Sequence, residues 1–168
     1  IGVFSLAPPS PLAGLYIEVD DSNVFVNTTR HFSVKGYDEY FNPVIINPDE
    51  VSWQVIGVDG SFSGNELTPK SAGVAKVIAT VGDISAEIDI SVLNGPVKLT
   101  ISSSDLTLIS KERKRFTVIG EDEEGFKASI SPRDVNWKTM GGIGFFANDT
   151  FVATSSGYGY ISVARACS

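Results

Sequence analysis

Residues 48–53 read PDEVSW, and the chain repeats this stretch 84 residues further on as PRDVNW at positions 132–137. The same offset aligns apolar residues, glycines and acidic residues on both sides of the stretch without a gap. Self-similarity at one fixed period is the signature of tandem copies of a structural unit. The sequence therefore predicts two copies of one module, and the repeated stretch marks a structural position in each copy rather than a catalytic site.

Alternating apolar residues predict that each module is built from strands. Apolar side chains recur at every second position over residues 75–81 and again over residues 84–92, with the turn residues Gly82 and Asp83 between them. This pattern is typical of a β-hairpin with one buried face. No apolar pattern with the period of an α-helix extends over roughly ten residues. We therefore predict an all-β chain of two tandem immunoglobulin-like β-sandwich domains, each with about seven short strands.

The domain boundaries follow from the repeat. Asn94, Gly95 and Pro96 interrupt the alternation, after which the strand pattern starts again in the same order. Prolines at positions 8, 9 and 11 favour an extended connector before the first module. The predicted segments are a strand remnant with a Pro-rich linker at 1–11, the first sandwich at 12–95 and the second, truncated sandwich at 96–168.

The second module is predicted to lack its last strand. Its sequence ends at Ser168, which aligns with Ile84, where the last strand of the first module begins. A missing strand leaves unpaired backbone groups on its neighbour, here along residues 157–166. We expect this open edge to accept a strand from another molecule, and the apolar residues 1–6 are the candidate.

Three motifs surround the repeated stretch. They are Phe-x-Val-x-Gly-x-Asp at residues 32–38 and 116–122, the Val-x-Trp strand that ends at Trp53 and Trp137, and a Gly-rich stretch that leads into residues 71–77. In these motifs the chain resembles the bacterial Ig-like (Big-type) modules of extracellular and cell-surface proteins. In a sandwich of this type, Trp53 and Trp137 are the expected core indoles. The pair also resembles the Ig-like region that accompanies a phosphodiester glycosidase domain in some Firmicutes, although no catalytic motif of that domain is present.

Charge and hydropathy argue against two classes of partner. The 168 residues include 13 Lys and Arg against 20 Asp and Glu, which gives a formal net charge of −7. A negative protein is repelled by nucleic-acid phosphates and by anionic lipid. No apolar run approaches the roughly 20 residues that span a bilayer. We therefore expect no nucleic acid partner and no membrane insertion.

The chain offers no recognisable catalytic group, so we predict that it is not an enzyme. His31 is the only histidine and aligns with Arg115, which argues against a repeated Ser-His-Asp triad or a multi-histidine metal site. Cys167 is the only cysteine and lies beside the C-terminus, so it forms no disulfide within the chain.

Adjacent acidic residues occur in several predicted turns and are the only candidates for a metal site. They are Asp20-Asp21, Asp38-Glu39, Asp49-Glu50 and residues 121–124. Calcium takes six to eight oxygen ligands, and no loop of alternating aspartates supplies them. We predict solvated loops and no cofactor, with calcium at one of these turns as the alternative.

Aromatic residues in one turn form the only candidate binding site. Tyr37, Tyr40 and Phe41 cluster at the turn in which the strand motif at 32–38 ends, and Phe126 lies near the equivalent place in the second copy. Exposed aromatic rings are the platforms on which sandwich proteins bind sugars. The alternative for these residues is ordinary packing between modules or against missing strands.

The sequence predicts an extracellular or cell-surface bacterial protein segment. We predict a non-catalytic spacer and interaction module that positions neighbouring domains of a longer chain, with stacked sandwiches and a short hinge at residues 94–97. A carbohydrate-binding or adhesive module that contacts cell-wall or extracellular polysaccharide is the first alternative. An accessory region of a secreted glycosidase is the second.

Overall fold

A computed structural model describes residues 10–102 and 107–166 of the chain. Strands predominate, and two single-turn 3-10 helices are the only helical elements within these ranges. The predicted all-β class and the immunoglobulin-like sandwiches are confirmed. The predicted strand donor at residues 1–6 and the thiol of Cys167 lie outside the described residues.

The first module contains nine strands in two sheets. The strands are β1 (Gly14–Val19), β2 (Asn23–Phe25), β3 (Arg30–Tyr37), β4 (Pro43–Val44), β5 (Ser52–Ile56), β6 (Gly60–Ser63), β7 (Glu66–Pro69), β8 (Gly73–Val81) and β9 (Ile84–Leu93). One sheet has the order β1-β3-β7-β6, with β4 paired to β3, and the facing sheet has the order β2-β9-β8-β5. Strand β2 pairs with β9 in parallel, whereas the other pairs are antiparallel.

The second module repeats this plan from β10 onward. Its strands are β10 (Lys98–Ile101), β11 (Arg113–Arg115), β12 (Val118–Glu121), β13 (Lys127–Ile130), β14 (Val135–Met140), β15 (Gly144–Ala147), β16 (Thr150–Ala153) and β17 (Tyr160–Arg165). They pair in the orders β10-β12-β13, β11-β16-β15 and β14-β17. The single long strand β3 of the first module corresponds to the two short strands β11 and β12.

The stretch that revealed the repeat forms the same structure twice. Residues Pro48–Glu50 and Pro132–Asp134 are the two 3-10 helices, and their N-caps Asn47 and Ser131 each accept a hydrogen bond from the backbone N–H two residues further on. A proline at the first helical position favours this start, because its fixed φ suits a helix and no N–H is wasted. Each helix delivers the chain into the strand that carries the tryptophan.

Each tryptophan lies in a cluster of three aromatic rings. The Trp53 ring lies 6.0 Å from Phe32 and 5.6 Å from Phe62. The Trp137 ring lies 6.1 Å from Phe116 and 4.6 Å from Phe146, the residues related by the repeat. Both indoles are partly buried and pack against the buried core clusters of their modules.

Strand β17 is less buried than β8, its counterpart in the first module. In the first module, β9 covers β8, and Val77 and Ala79 are completely buried. The equivalent residues of β17, Ile161 and Val163, remain partly exposed, and β17 pairs only with β14 within the described residues. Recruitment of a strand to this edge remains a prediction.

Candidate functional site

Strand β2 contributes to the cores of both modules. Successive side chains of a strand point to opposite faces. Val24 therefore packs into the core of the first module, and Phe25 packs among Val118, Ala128 and Ile130 of the second. Val24 and Phe25 both have no solvent exposure. Strand β2 thus contributes one fully buried side chain to each hydrophobic core. We therefore take the junction between the two modules as the candidate functional site.

A glycine makes room for the Phe25 ring. A Cβ atom at Gly120 would lie 2.5 Å from Cε2 of Phe25 and 2.8 Å from Cδ1 of Ile130. Real side chains do not approach so closely, so any other residue at 120 would displace the ring. Gly120, Val118, Ala128, Ile130 and Val135 form what we call the socket of the second module.

Arg30 connects the modules beside the socket. Its Nη1 donates to Ser129 Oγ at 3.0 Å, and its Nη2 donates to the backbone oxygens of Ser129 at 2.7 Å and Asn23 at 2.9 Å. The residue is 8% exposed. Burial lowers the pKa of the guanidinium, while the negative charges of Asp21, Asp20 and Asp134 oppose this effect. The two hydrogen bonds to Ser129 fix the first module against strand β13 of the second.

Two carboxylates cross the junction in opposite directions. Asp134 of the second module accepts hydrogen bonds from the backbone N–H of Thr29 at 2.9 Å and from its hydroxyl at 3.0 Å. Asp21 of the first module accepts one from the backbone N–H of Ser129 at 2.9 Å. Hydrogen bonds to a charged group are stronger than neutral ones. Both modules therefore supply donors and acceptors, which fixes their relative orientation.

An ion pair lies at the rim of the junction. Arg133 donates to Glu66, and His31 Nδ1 lies 3.7 Å from the same carboxylate. The hydrogen bond from Arg133 is the largest cause of the lowered pKa of Glu66, and burial opposes it. The Arg133 side chain is 62% exposed, so solvent and salt weaken the pair.

We expect the Glu66–Arg133 pair to stabilise the chain only weakly, and only at a pH at which the Glu66 carboxyl is ionised. The pKa of Glu66 in the folded protein lies below the ordinary 4.5. The pair therefore contributes its full stability above pH 4.5, and this contribution disappears as the pH falls through the folded pKa. Glu66→Gln should lower stability by no more than about 1 kcal/mol at pH 7. Urea unfolding at pH 7 and pH 3 measures the effect. A difference from the wild type that persists at pH 3 would refute the ionic origin.

The predicted hinge at residues 94–97 is in contact with the second module. Gly95 lies against the Arg165 guanidinium, since a Cβ at this glycine would lie 2.7 Å from Nη1 of Arg165. Nη2 of Arg165 donates to the backbone oxygen of Val26 at 3.1 Å. The Val97 N–H donates to the Glu121 oxygen at 2.8 Å. These contacts restrain the segment that joins the modules.

A cleft of about 240 Å³ opens between the modules beside Arg30 and Trp137. Arg30 Nε and Trp137 Nε1 are buried donors without an acceptor in the described part of the protein. The lining carries three basic side chains and three acidic ones, which are Arg30, His31, Arg115, Asp20, Glu66 and Asp149. Side chains of both charge signs thus line the cleft.

Two of the four aromatic residues that the sequence nominated for binding come together. The rings of Tyr37 and Phe41 stack at 5.5 Å with 22° between their planes. Phe41 is 80% exposed and has a φ of 64°, a conformation that the second module gives to Gly125 at the equivalent position. We call this pair the aromatic shelf. Tyr40 and Phe126 are 71% and 54% exposed and stack on no other ring in the described residues.

In two of the acidic turns, an aspartate carboxylate accepts hydrogen bonds from groups of the same turn. Asp38 is 4% exposed and accepts from Tyr40 N, Asn42 N and Asn42 Nδ2 at 2.9 to 3.1 Å. The equivalent Asp122 accepts from two backbone N–H groups in the same way. These contacts use the carboxylate oxygens to close a turn. Within the ranges that the structure covers, no three His, Cys, Asp or Glu side chains are grouped to hold a metal.

We expect Asp38→Asn to lower the melting temperature at pH 7 and to have a smaller effect in acid. Burial raises the pKa of Asp38, but the hydrogen bonds from Asn42 and Tyr40 outweigh it, and the folded pKa lies below the ordinary 3.8. The charged form therefore contributes stability above pH 3.8, which is lost as the pH falls through the folded pKa. Thermal unfolding of both proteins from pH 7 to pH 2.5 measures the difference. A constant difference would contradict this account.

Sequence reasoning missed the residues of the junction. The apolar residues Val24 and Phe25 are typical of a strand, but nothing in their pattern indicates that the second module covers the outer face of that strand. A usable signal was present in the repeat, because the equivalent of Phe25 is Ile109 and the equivalent of Arg30 is Lys114. Residues that differ between otherwise matching copies were candidates for an asymmetric role.

No protein-family model matches the chain, and no curated protein matches it. Among solved structures, domains 4 and 5 of the S-layer protein SbsC align over 95% of this chain and 95% of that chain, with 14% identity and a TM-score of 0.43. The adhesin FdeC of Escherichia coli aligns over 94% of this chain and 58% of that chain, with 13% identity and a TM-score of 0.41. The adhesin InvE of Yersinia pseudotuberculosis aligns over 92% and 52%, with 15% identity and a TM-score of 0.36.

The chain spans 26% of the S-layer protein rSbsC, so it matches a minor part of that protein. The TM-scores of all these matches are below 0.5, and we base no conclusion about this chain on them. None of the helices in the described residues has the length and apolar character of a membrane span.

Proposed function

We propose that the chain is a non-catalytic, rigid segment of a bacterial cell-surface or secreted protein that holds neighbouring domains at a fixed distance and orientation. The observation that carries this proposal is Phe25, a first-module residue that is fully buried in the core of the second. The surface location is supported by the sequence resemblance to Big-type modules. A secreted phosphodiester glycosidase is the neighbouring domain that the same resemblance suggests.

The chemistry of the junction favours rigidity. Domains of one chain usually move relative to each other unless their interface is hydrophobic and well packed. Here a fully buried aromatic ring is combined with the hydrogen bonds of Arg30, Asp134 and Asp21. Each module thus limits the movement of the other.

Small-angle X-ray scattering tests the rigid spacer. We expect one fixed arrangement of the two modules to reproduce the wild-type curve, with the same maximum dimension at low and high salt. Phe25→Asp should require a range of inter-module angles, while the exposed control Ile109→Asp should not. A wild-type curve that itself requires many arrangements would exclude the spacer function.

The aromatic shelf supports a second candidate, a surface that contacts polysaccharide. A non-glycine residue with positive φ costs about 1–3 kcal/mol of backbone strain, and such strain is concentrated at functional positions. In the first module this strain holds an exposed phenyl ring on Tyr37, where the second module has a relaxed glycine. Binding of carbohydrate by stacking on these rings would give the backbone strain at Phe41 a functional reason.

Phe41→Gly tests the second candidate without disturbing the turn. The substitution gives the first module the residue that the second already has at this position, and glycine adopts the required φ freely. We expect the melting temperature of Phe41→Gly to be unchanged or higher. In gels that contain polysaccharide, the wild type should migrate more slowly than in plain gels, and Phe41→Gly should not. Equal retardation of the two proteins, or none for the wild type, would refute carbohydrate contact at the shelf.

A further inference from the structure

The two faces of strand β3 behave differently when the two modules are compared. Every second residue from position 32 to position 38 faces the core side of the sheet, and all of these recur unchanged 84 positions further on. The alternate positions face outward, and there Lys35 and Tyr37 are replaced by Ile119 and Glu121. Packing of the sandwich therefore accounts for the inward residues, but it does not account for the outward residues of the first module.

The outward residues of β1 and β3 form one continuous surface. Tyr16 lies directly opposite Lys35, and Gly14 lies directly opposite Tyr37. Residues paired in this way share a face of the sheet. A Cβ at Gly14 would lie 2.2 Å from Cζ of Tyr37, so glycine is needed to make room for the ring on which Phe41 stacks. The glycine thus places the aromatic shelf beside Tyr16 and Lys35.

A groove of about 550 Å³ lies along this surface, and we call it the shelf groove. Its lining includes Tyr16, Tyr37, Phe41, Pro43 and Ile45. Among the described residues that line it, Lys35 is the only charged one. The equivalents of the five apolar and aromatic residues in the second module are smaller or polar, and they are Thr100, Glu121, Gly125, Lys127 and Ser129. The lining of the shelf groove is therefore specific to the first module.

The ammonium group of Lys35 supplies the charge of the groove. Lys35 is exposed and forms no ion pair with the described residues. An ammonium has three donors and no acceptor, and its hydrogen bond to a carboxylate is roughly twice as strong as a neutral one. Residues two apart in a strand are separated by about 7 Å. The flexible stem of Lys35 is long enough to bring its ammonium to the edge of a ring stacked on the aromatic shelf.

The charge of the whole chain limits how much negative charge a ligand can carry. The formal net charge is −7, which repels densely charged polyanions. The aromatic rings favour a ligand that offers an apolar ring face, which a pyranose does through its C–H groups. A single carboxylate on such a ring is enough to pair with Lys35. Together these features fit a saccharide with isolated carboxylates.

We infer that the shelf groove binds an acidic saccharide, with a sugar ring stacked on the aromatic shelf and its carboxylate bound by Lys35. The inference rests on the second candidate function, carbohydrate contact at the shelf, and adds the class of sugar. A neutral sugar would stack on the same rings but would lack the charge-assisted hydrogen bond. The groove therefore prefers a sugar acid to the matching neutral sugar.

Methyl glucuronide and methyl glucoside are matched probes, because they differ only in a carboxylate in place of a hydroxymethyl group. Each is titrated into isotope-labelled protein, and the NMR shifts of the backbone amides of residues 35–41 give the dissociation constant. We expect a value of about 1 mM or weaker for a ligand of this size. The glucuronide should bind about two- to fivefold more tightly than the glucoside, which is the usual effect of an exposed ion pair.

Three variants separate the charge from the stacking. Lys35→Met should lower the affinity for the glucuronide to that for the glucoside and leave the affinity for the glucoside unchanged. Lys138→Met is the matched control, since Lys138 is also an exposed lysine of a strand, and it should retain the full preference. Phe41→Gly should lose the binding of both sugars.

The two levels of the proposal fail in different ways. Equal affinities of the wild type for the two sugars, or a preference that survives Lys35→Met, would overturn the acidic class and leave carbohydrate contact at the shelf standing. Absence of binding for both sugars, or unchanged binding in Phe41→Gly, would refute carbohydrate contact at the shelf and this inference with it.

Discussion

Replacing Phe25 with alanine is expected to lower the free energy of unfolding by about 3–5 kcal/mol, the usual cost of removing a fully buried aromatic ring. The cavity would open in the second module, although the substituted residue belongs to the first. Val118, Ala128, Ile130 and Val135 would lose their common partner. The second module should therefore lose most of the stability, because the cavity opens in its core.

Urea unfolding followed by tryptophan fluorescence measures this loss. Trp53 reports on the first module and Trp137 on the second, so single-tryptophan variants resolve the two transitions. We expect the wild-type transitions to coincide and those of Phe25→Ala to separate, with the Trp137 signal changing first. Ile109→Ala, at the equivalent exposed position, should change stability by less than about 0.5 kcal/mol. Coincident transitions in Phe25→Ala would show that the ring does not couple the modules.

Replacing Arg30 with methionine is expected to cost about 2–3 kcal/mol. The substitution retains much of the apolar stem but removes three hydrogen bonds, two of them to backbone oxygens. A buried acceptor that loses its donor costs about 1–3 kcal/mol. Lys114→Met is the matched control, since Lys114 is the exposed equivalent in the second module. Equal effects of the two substitutions in urea unfolding would contradict the bridging role of Arg30.

The effects of Phe25 and Arg30 are not expected to add. Both residues act at one interface, and once the modules have separated, the second substitution has little left to disrupt. The double variant should therefore lose less stability than the two single losses combined. Full additivity would indicate two independent sites.

The fold could be predicted because its signals are local and occur twice. The turn chemistry of Asn47-Pro48 and Ser131-Pro132, and the alternation of β8 and β9, each depend on residues close in sequence. The pairing of the modules depends on contacts about 100 residues apart, such as Arg30 with Ser129. Val24 and Phe25 read simply as two apolar residues of a strand, and alternation does not indicate what covers the second face.

The candidate binding residues were predicted only in part for a similar reason. Clustering in sequence nominated Tyr37, Tyr40 and Phe41 together, but alternation of direction and the turn geometry bring only two of these rings into contact. Phe41 aligns with Gly125, and a glycine at the equivalent position is a signal for the positive φ that both residues adopt. Comparing the copies position by position was therefore more informative than the composition of either copy.

Residual dipolar couplings of backbone amides test the central claim most directly, because they report the orientation of each module in solution. If β2 and Arg30 hold the modules together, one alignment tensor will fit the couplings of both, in the orientation that these contacts impose. Phe25→Asp should then give two tensors of different magnitude. Two different tensors in the wild-type chain would show that the modules move independently and would contradict the rigid junction.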